Sequence, residues 1–427
     1  MSATNIVNPQ TSSAPLGSLL RNKAFLVFTL GNAVSLLGTA MATIAMPLLV
    51  LQVTGSVQQM GIITTLMTMG CLLAAVISGA IVDRFDRRVV QFSCCIISAL
   101  LFSVIPITWY LVGPSIWLLR IVALPIGFFD LTAYIAMGVG LMNVVSRDQI
   151  THASSVFFAC QSAAALLGPI IAGYLTVRIS GAAVMALNAL SFLLLAAALT
   201  LLRRLTPSDD GASSSTRRDT FWRNMLSGLQ HMWDNRLLFW ASVIRWAGLC
   251  FTVGAVNLMI YHLQQEALLP ANLIGILLSA GAVGGLCGNV LAPTLRERLG
   301  FSPLFLGGIA LSGAALIGFG ISHQVALLFI CSLFFSFGDA LVTISGFSLR
   351  TQVTPQALQG RVFGTLQAMI YAGSGVFIVL ATNLAARAGA GVTLALLGGL
   401  VILVAAIGCG TPMRYRRPEW HSLYPAV

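Results

Sequence analysis

The sequence predicts an all-α membrane protein with twelve transmembrane helices, arranged as two pseudo-symmetric halves of six helices each. Three observations lead to this fold class. The composition is too apolar for a water-soluble protein, twelve long apolar segments follow one another, and one polar insertion divides them six and six.

The composition indicates a protein that has lipid as its solvent. Hydrophobic residues make up 57% of the 427 residues and charged residues only 8%, whereas soluble domains carry about 25% charged residues. The formal net charge of +11 comes mostly from arginines at the ends of apolar segments, where they set topology. Because there is no long basic run and no binding motif, we expect no nucleic-acid partner.

The apolar segments have the length of membrane spans, which need about 20 residues each. Short turns at Gly113-Pro114 and Ser180-Gly181 separate two pairs of neighbouring spans. The spans are predicted at 24–51, 57–82, 89–112, 116–143, 153–177, 182–202, 237–263, 270–295, 302–322, 325–349, 361–385 and 390–412.

The positions of the basic residues predict the orientation. With the N-terminus inside, 19 of the 23 Lys and Arg residues fall in cytoplasmic pieces, and only Arg178 and Arg387 fall in outer loops. This bias follows the positive-inside rule. An even number of spans then places both termini in the cytoplasm.

The polar insertion defines the domain organisation. Its second part has apolar residues at helical spacing, namely Trp222, Met225, Leu226, Leu229, Met232 and Trp233. This predicts an amphipathic helix that lies on the inner membrane surface or packs beneath the bundle. The predicted units are a cytoplasmic tail at 1–23, a six-helix bundle at 24–202, a linker at 203–236, a second bundle at 237–412 and a tail at 413–427.

Four charged residues lie inside spans: Arg120, Asp130, Arg245 and Asp339. A charge near the bilayer centre costs roughly 2.5–3.5 kcal/mol, so it usually faces a cavity and marks function. We expect Asp130, Asp339 or both to carry a coupling proton, with the arginines as counter-charges. Static ion pairs that fix helix packing are the alternative, and Asp339 could instead recognise a cationic substrate.

Polar residues near the ends of spans are expected to be surface residues. His262 and Glu266 lie at the outer end of the seventh span, where solvation is the simpler interpretation. His231 and His323 are interpreted in the same way. The eight cysteines fall in apolar stretches without metal-site spacing, so we expect no metal site.

The loop after the second span carries a recognisable motif. Gly79, Asp83, Arg84, Arg87 and Arg88 stand at a spacing that is similar to the G-x-x-x-D-R-x-x-R-R loop of the major facilitator superfamily. The resemblance implies the major facilitator fold and a conformational latch, in which Asp83 caps the eleventh span near Gly360 and Arg361. The arginines of the loop would hold Asp83 and meet lipid phosphates.

Further pieces resemble one branch of that superfamily. Ser35-Leu36-Leu37-Gly38, Thr54-Gly55-Ser56 and Gly360-Arg361-Val362-Phe363 look like the drug:proton antiporter branch, with its macrolide-efflux-like and enterobactin-exporter-like members. Gly168, Pro169 and Gly173 are similar to the antiporter motif of exporters, although Ala164 replaces its preceding glycine. Arg120 lies about two turns before the position of the family arginine, so it is not assigned that role.

The resemblance implies a transporter rather than an enzyme. The expected function is proton-coupled export of a small amphipathic or apolar compound by a monomer in the bacterial cytoplasmic membrane. It would use the proton gradient and no cofactor, and its partners would be the substrate, protons and lipids. Uptake, facilitated transport and a non-transporting receptor are the alternatives. Candidate residues of the substrate cavity are Asn32, Ser35, Met41, Gln161, Trp246, Phe251, Asn257, Phe335 and Gln367.

Overall fold

The computed structural model describes residues 22–141, 150–205 and 229–414, and these residues form helices without strands. Twelve of the helices are long and apolar enough to cross a membrane, which confirms the predicted fold class. They are α1 Lys23–Thr54, α2 Val57–Arg84, α3 Arg87–Leu111, α4 Ile116–Leu141, α5 Ile150–Arg178, α6 Gly181–Leu205, α7 Arg236–Glu266, α8 Ala271–Leu299, α9 Phe301–Ile321, α10 Val325–Val353, α11 Gln356–Ala388 and α12 Ala390–Cys409.

The junction between α1 and α2 shows how the sequence sets helix ends. Gly55 has a φ of 61°, a left-handed conformation that ends α1 at little steric cost. The side chain of Ser56 then accepts a hydrogen bond from the backbone N–H of Gln59 and caps α2. In the Thr54-Gly55-Ser56 segment, Gly55 therefore ends α1 and Ser56 caps the start of α2.

The helix α7 is interrupted in its outer half. It runs regularly from Arg236 to Thr252, resumes as Ala255–Tyr261, and ends in a π-helical turn, His262–Glu266. Leu268, just beyond it, has a φ of 53°, which is uncommon for a residue other than glycine. Interruptions and π-helical turns of this kind often occur at functional positions.

The two halves pack alike. In the first half α2 crosses α4 so closely that a side chain on Gly70 would collide with the carbonyl of Leu124. In the second half α8 crosses α10, and a side chain on Gly284 would collide with the carbonyl of Leu333. Equivalent helix pairs thus meet through glycine in each half, as expected for a repeated six-helix unit.

The halves touch each other through α2 with α11 and α5 with α8. The side chain of Gln58 on α2 donates to Asn383 on α11 at 3.0 Å. Both residues lie far from the end of the bundle where α1 begins and α12 ends. We call the end with these chain ends the inner end, and the opposite end the outer end.

Only the last part of the predicted amphipathic helix falls in the described residues, where 229–234 are helical. Met232 is buried against Leu238 of α7 and Val362 of α11, whereas the Trp233 side chain is 69% exposed. This part therefore packs beneath the second half. Trp222, Met225 and Leu226 lie outside the described residues, as do residues 1–21 and 415–427, so the predicted domain boundaries stay predictions.

Candidate functional site

A cavity of about 1050 Å³ lies between the two halves. Its walls come from the inner portions of α5, α7, α8, α10 and α11, for example Ser155, Ala241, Val290, Arg350 and Phe363. Each of these residues is within ten positions of the inner end of its helix. The cavity therefore occupies the inner half of the bundle, while the outer ends of the halves are in contact.

The cavity wall is mostly apolar with a few polar groups, which is usual for sites that bind small organic molecules. Gln161 on α5 and Gln367 on α11 both line it, as the sequence predicted. The Gln161 side chain donates to the hydroxyl of Tyr134 on α4 at 3.4 Å. Phe158 and Phe347 add aromatic surface.

An ion pair joins Arg245 on α7 to Asp339 on α10, with 2.8 Å between Nη1 and Oδ1. Nη2 of Arg245 donates to the hydroxyl of Thr343 at 2.8 Å. The Arg245 side chain is 19% exposed and the Asp339 side chain 43% exposed, and Arg245 belongs to the cavity wall. The two embedded charges that the sequence predicted for this half are thus brought together.

Arg350 is the second cation of the cavity wall. Asp339, Thr343, Gly346 and Arg350 recur at the spacing of one face of α10. Nε of Arg350 donates to the carbonyl of Gly346 at 3.2 Å, and its guanidinium lies 5.9 Å from the centroid of the Phe363 ring. Among the described residues of the wall, Arg245 and Arg350 are the ones that carry charge.

Asp130 lies in a different setting from Asp339. It is on α4 and accepts a hydrogen bond at 3.2 Å from Ser98 on α3, within the first half. Arg120 does not pair with it: Nη2 of Arg120 donates to Gln59 at 2.5 Å, and the guanidinium stacks 4.6 Å from the Trp117 ring. Within the described part of the chain, Asp130 has no ion-pair partner.

Three predicted substrate residues on α1 do not line the cavity in this conformation. Asn32 is buried, donates to the carbonyl of Phe28 at 2.7 Å and accepts from Gln91 on α3 at 2.9 Å. Ser35 and Met41 are also buried. In this conformation the three residues are thus buried away from the cavity, and the partners of Asn32 lie in its own half.

Two predicted substrate residues on α7 hold that helix against α11. Nε1 of Trp246 donates to the carbonyl of Met369 at 2.8 Å. The rings of Phe251 and Phe377 meet edge to face at 5.0 Å. Neither Trp246 nor Phe251 contributes to the wall described above.

The remaining two predicted substrate residues also make packing contacts. Nδ2 of Asn257 donates to Thr64 of the other half at 2.7 Å. The carbonyl of Phe335 accepts from Ser312, and its ring packs against the core. Asn257 therefore links the halves beyond the closed end of the cavity.

The sequence profile of the Major Facilitator Superfamily matches residues 28–269 and 247–423. The chain belongs to the major facilitator superfamily. The family that the sequence predicted is thereby confirmed.

Two curated relatives of this superfamily member are exporters by name. The multidrug efflux pump Tap of Mycolicibacterium fortuitum is 25% identical over 386 residues, covering 88% of this chain and 92% of Tap. The enterobactin exporter EntS of Escherichia coli is 22% identical over 409 residues, covering 93% and 95%.

Solved structures share the fold at low sequence identity. The nucleoside transporter NupG matches with a TM-score of 0.71 at 11% identity, over 91% of this chain and 98% of that one. A bacterial homologue of the iron transporter ferroportin, in its inward-facing state, matches with a TM-score of 0.64 at 19% identity, over 91% and 99%. These likenesses show the transporter fold and not a substrate.

Gly168, Pro169 and Gly173, which resemble the antiporter motif, lie where α5 crosses two other helices. A side chain on Gly168 would lie 2.5 Å from Cβ of Ala40 on α1. A side chain on Gly275 of α8 would collide with the carbonyl of Pro169, and one on Gly173 would lie 3.1 Å from Cα of Gly275. The motif therefore gives α5 its close contact with the second half at the outer end.

The predicted latch is described only in part. The side chains of Asp83 and Arg84 and the surroundings of Gly79 and Gly360 lie outside the described residues, so the contact with α11 stays a prediction. In the described part of the loop, Asp86 accepts from the backbone N–H of Arg88 at 2.8 Å and caps α3. Arg87, Arg88 and Arg361 are partly buried near the inner end.

The prediction for the outer end of α7 was wrong. His262 is 1% exposed rather than solvated. Its Nδ1 lies 2.5 Å from Oε2 of Glu266, and Glu266 accepts from the backbone N–H groups of Ala390 and Gly391. The spacing of four residues, which places two side chains on one helix face, was the signal that could have identified this pair.

Proposed function

We propose that this protein is a secondary active exporter that moves a small amphipathic or apolar compound out of the cell in exchange for protons. The observation that carries the proposal is the Arg245–Asp339 ion pair beside a cavity that lies in the inner half of the bundle. Transport would proceed by alternating access, in which the two halves rock about a site between them.

The arginine bias of the sequence supports a cytoplasmic inner end. In that orientation the cavity faces the cytoplasm, from which an exported compound must enter. The outer ends of α2, α5, α8 and α11 then close the path to the outside. A monomer contains the whole cavity, so we infer that one chain is sufficient for transport.

Asp339 is the better placed of the two carboxylates to exchange a proton with the cavity. A proton on Asp339 removes its charge and weakens the pair, which leaves Arg245 with Thr343 as its remaining partner. Such a change alters how α7 is held against α10. Asp130 is the second candidate. It accepts a hydrogen bond from Ser98 within its own half, and no cation is paired with it in the described part of the chain.

The names of Tap and EntS as an efflux pump and an exporter support export over uptake, because both relatives cover nearly the whole chain. They name a multidrug pump and a siderophore exporter. Drugs and siderophores are therefore the first compounds to test as substrates.

Substrate-driven proton exchange tests the proposal. Inverted membrane vesicles are given an acidic interior, and the interior pH is followed with an acridine dye while drugs and siderophores are added. We expect a substrate to release protons from wild-type vesicles and from the surface control Asp234→Asn, but at least about tenfold more slowly from Asp339→Asn vesicles.

Other outcomes would change the assignment. Loss of the response in Asp130→Asn alone would move the coupling role to Asp130. A substrate that crosses the membrane without any proton release, at equal rates in wild type and Asp339→Asn, would contradict coupling and leave a facilitator.

A further inference from the structure

A polar cluster lies at the outer end of α7, away from the cavity, with His262 buried and the Glu266 side chain 28% exposed. His262 begins the π-helical turn and Glu266 ends it. Around them lie the turn between α9 and α10 and the first residues of α12. A buried ionisable cluster in a membrane protein is costly unless its members satisfy one another.

The hydrogen bonds of His262 indicate its protonation state. Nδ1 lies 2.5 Å from Oε2 of Glu266, and Nε2 lies 3.2 Å from the carbonyl oxygen of Ser322. A carbonyl oxygen can only accept, so Nε2 must carry a hydrogen. A carboxylate also accepts, so Nδ1 needs a hydrogen as well unless Glu266 supplies it.

The surroundings of Glu266 place that hydrogen on the imidazole. Oε1 accepts from the backbone N–H of Ala390 at 2.5 Å, and Oε2 accepts from that of Gly391 at 3.0 Å. These are the first N–H groups of α12, and a helix N-terminus favours an anion. This geometry fits an imidazolium on a carboxylate, which holds one proton more than a neutral histidine beside a carboxylate.

We propose that His262 and Glu266 form a proton-binding site that fastens the outer segment of α7 in its closed position. This inference rests on the proposed function, since it adds a second proton site to a proton-driven transporter. The proton comes from the outer side, where the pair lies. Its binding favours the conformation in which the outer end is shut.

Loss of the proton disrupts the cluster. A neutral imidazole has one N–H, so either Nδ1 turns a lone pair toward Glu266 or Nε2 turns one toward Ser322. Because His262 is 1% exposed, water cannot replace the missing partner where the ring lies now. The ring and the π-helical turn must then move.

That movement reaches the contact between the halves. The turn continues directly from the segment Ala255–Tyr261, whose Asn257 donates to Thr64 of the first half at 2.7 Å. The break at Val253 and Gly254 separates this segment from the rest of α7. The outer segment can therefore shift while the part that holds Arg245 stays in place.

One other titratable side chain in the described residues faces His262. The ring of His323, in the turn after α9, lies 5.4 Å from the His262 ring and is exposed. From α9 the neighbour is Phe319, and α12 contributes backbone N–H groups. His323 is thus a matched control, since it is a histidine in the same place without the buried bonds.

The test measures closure of the outer end without substrate. Spin labels are placed at Gln58 and Asn383 in a cysteine-free background, and the distance between them is followed in liposomes from about pH 5.5 to about pH 8.5, the range in which histidines ordinarily titrate. In wild type and His323→Gln we expect the short-distance population to fall at least about threefold as pH rises. In His262→Gln and Glu266→Gln it stays constant with pH.

A direct readout of the proton accompanies the distances. Nitrogen-15 NMR of labelled histidine should show one ring with both nitrogens protonated in wild type at about pH 7.5, where exposed rings are mostly neutral, and that signal should be missing from His262→Gln. A pH response that survives in His262→Gln, or that disappears in His323→Gln, overturns the proposal.

Failure of this site and failure of the proposed function are separable. If closure of the outer end depends on pH but substrates release no protons in the vesicle assay, the His262–Glu266 proton site stands and substrate–proton exchange is rejected. If substrates release protons but closure does not depend on pH, substrate–proton exchange stands and the His262–Glu266 site is rejected. Glu266→Gln serves as the second variant if His262→Gln does not fold.

Discussion

At the scale of single residues, two side chains of the same type differ in their chemistry because their neighbours differ. Asp339 pairs with Arg245, a cation of the cavity wall, whereas Asp130 meets the Ser98 hydroxyl inside one half. The sequence predicted the same role for both aspartates, because each is a lone carboxylate in an apolar helix. Their difference depends on which helix each one faces, and that is a property of the packing.

The coupling between Arg245 and Asp339 gives a prediction about stability. Removing one partner leaves the other charge without its ion-pair partner, so Arg245→Gln and Asp339→Asn should each lower the thermal unfolding temperature of the purified protein. The double variant should be less destabilised than the sum, by about 1 kcal/mol, since both side chains are partly exposed. Additive effects would show that the pair does not contribute to stability, and Asp234→Asn is the surface control.

The residues whose surroundings were predicted incorrectly from the sequence differ from expectation for one physical reason. Asn32 and His262 were interpreted as facing a cavity or solvent, and both are buried: Asn32 bonds to Gln91 of another helix, and His262 to the backbone carbonyl of Ser322 in a turn. A polar residue in a span needs a partner, and a sequence alone does not say whether it is water or a neighbouring side chain. The partners, Gln91 and Ser322, are 59 and 60 residues away.

At the scale of helices, span positions were predictable because hydropathy and length both constrain them. The predicted first span at 24–51 became Lys23–Thr54, and the predicted ninth span at 302–322 became Phe301–Ile321. The inward-facing side was less predictable for helices such as α1 and α12, because these are apolar all round and lack a polar stripe. The break in α7 had no clear sequence signal beyond Gly254.

The crossing of α5 and α8 allows a prediction about helix contact. In Gly275→Ala the new methyl group would collide with the carbonyl of Pro169, so the outer ends of the two helices must separate. We expect a lower population of the outer-closed state, seen as faster thiol labelling of a cysteine introduced at Ala271, and slower export.

The matched control for this substitution is Gly307→Ala. A methyl group there would meet no atom within 4 Å, so it tests the effect of losing a glycine in a helix without a collision. Equal labelling rates in Gly275→Ala and Gly307→Ala would mean that the crossing has room to adjust and does not limit closure.

At the scale of the whole molecule, the functional elements lie at different depths along one path. The cavity with Arg245 and Asp339 lies toward the inner end, and the contacts of Gln58 with Asn383 and of Asn257 with Thr64 lie beyond its closed side. A transporter of this type requires that both ends are never open together. The described conformation is the half of that cycle in which the outer end is closed.

A cross-link at the outer end tests whether the described contacts must break during transport. Gln58 and Asn383 are replaced by cysteines in a background without the eight native ones, and a short thiol-reactive linker joins them in membranes. Because α2 and α11 are hydrogen-bonded at these positions, we expect efficient linking in this conformation and at least about tenfold slower export. Cleaving the linker with a reductant should restore export, and each single cysteine variant, treated in the same way, should keep its rate. Export that continues at the full rate through a linked protein would mean that α2 and α11 stay together throughout the cycle, and opening would then have to occur between α5 and α8.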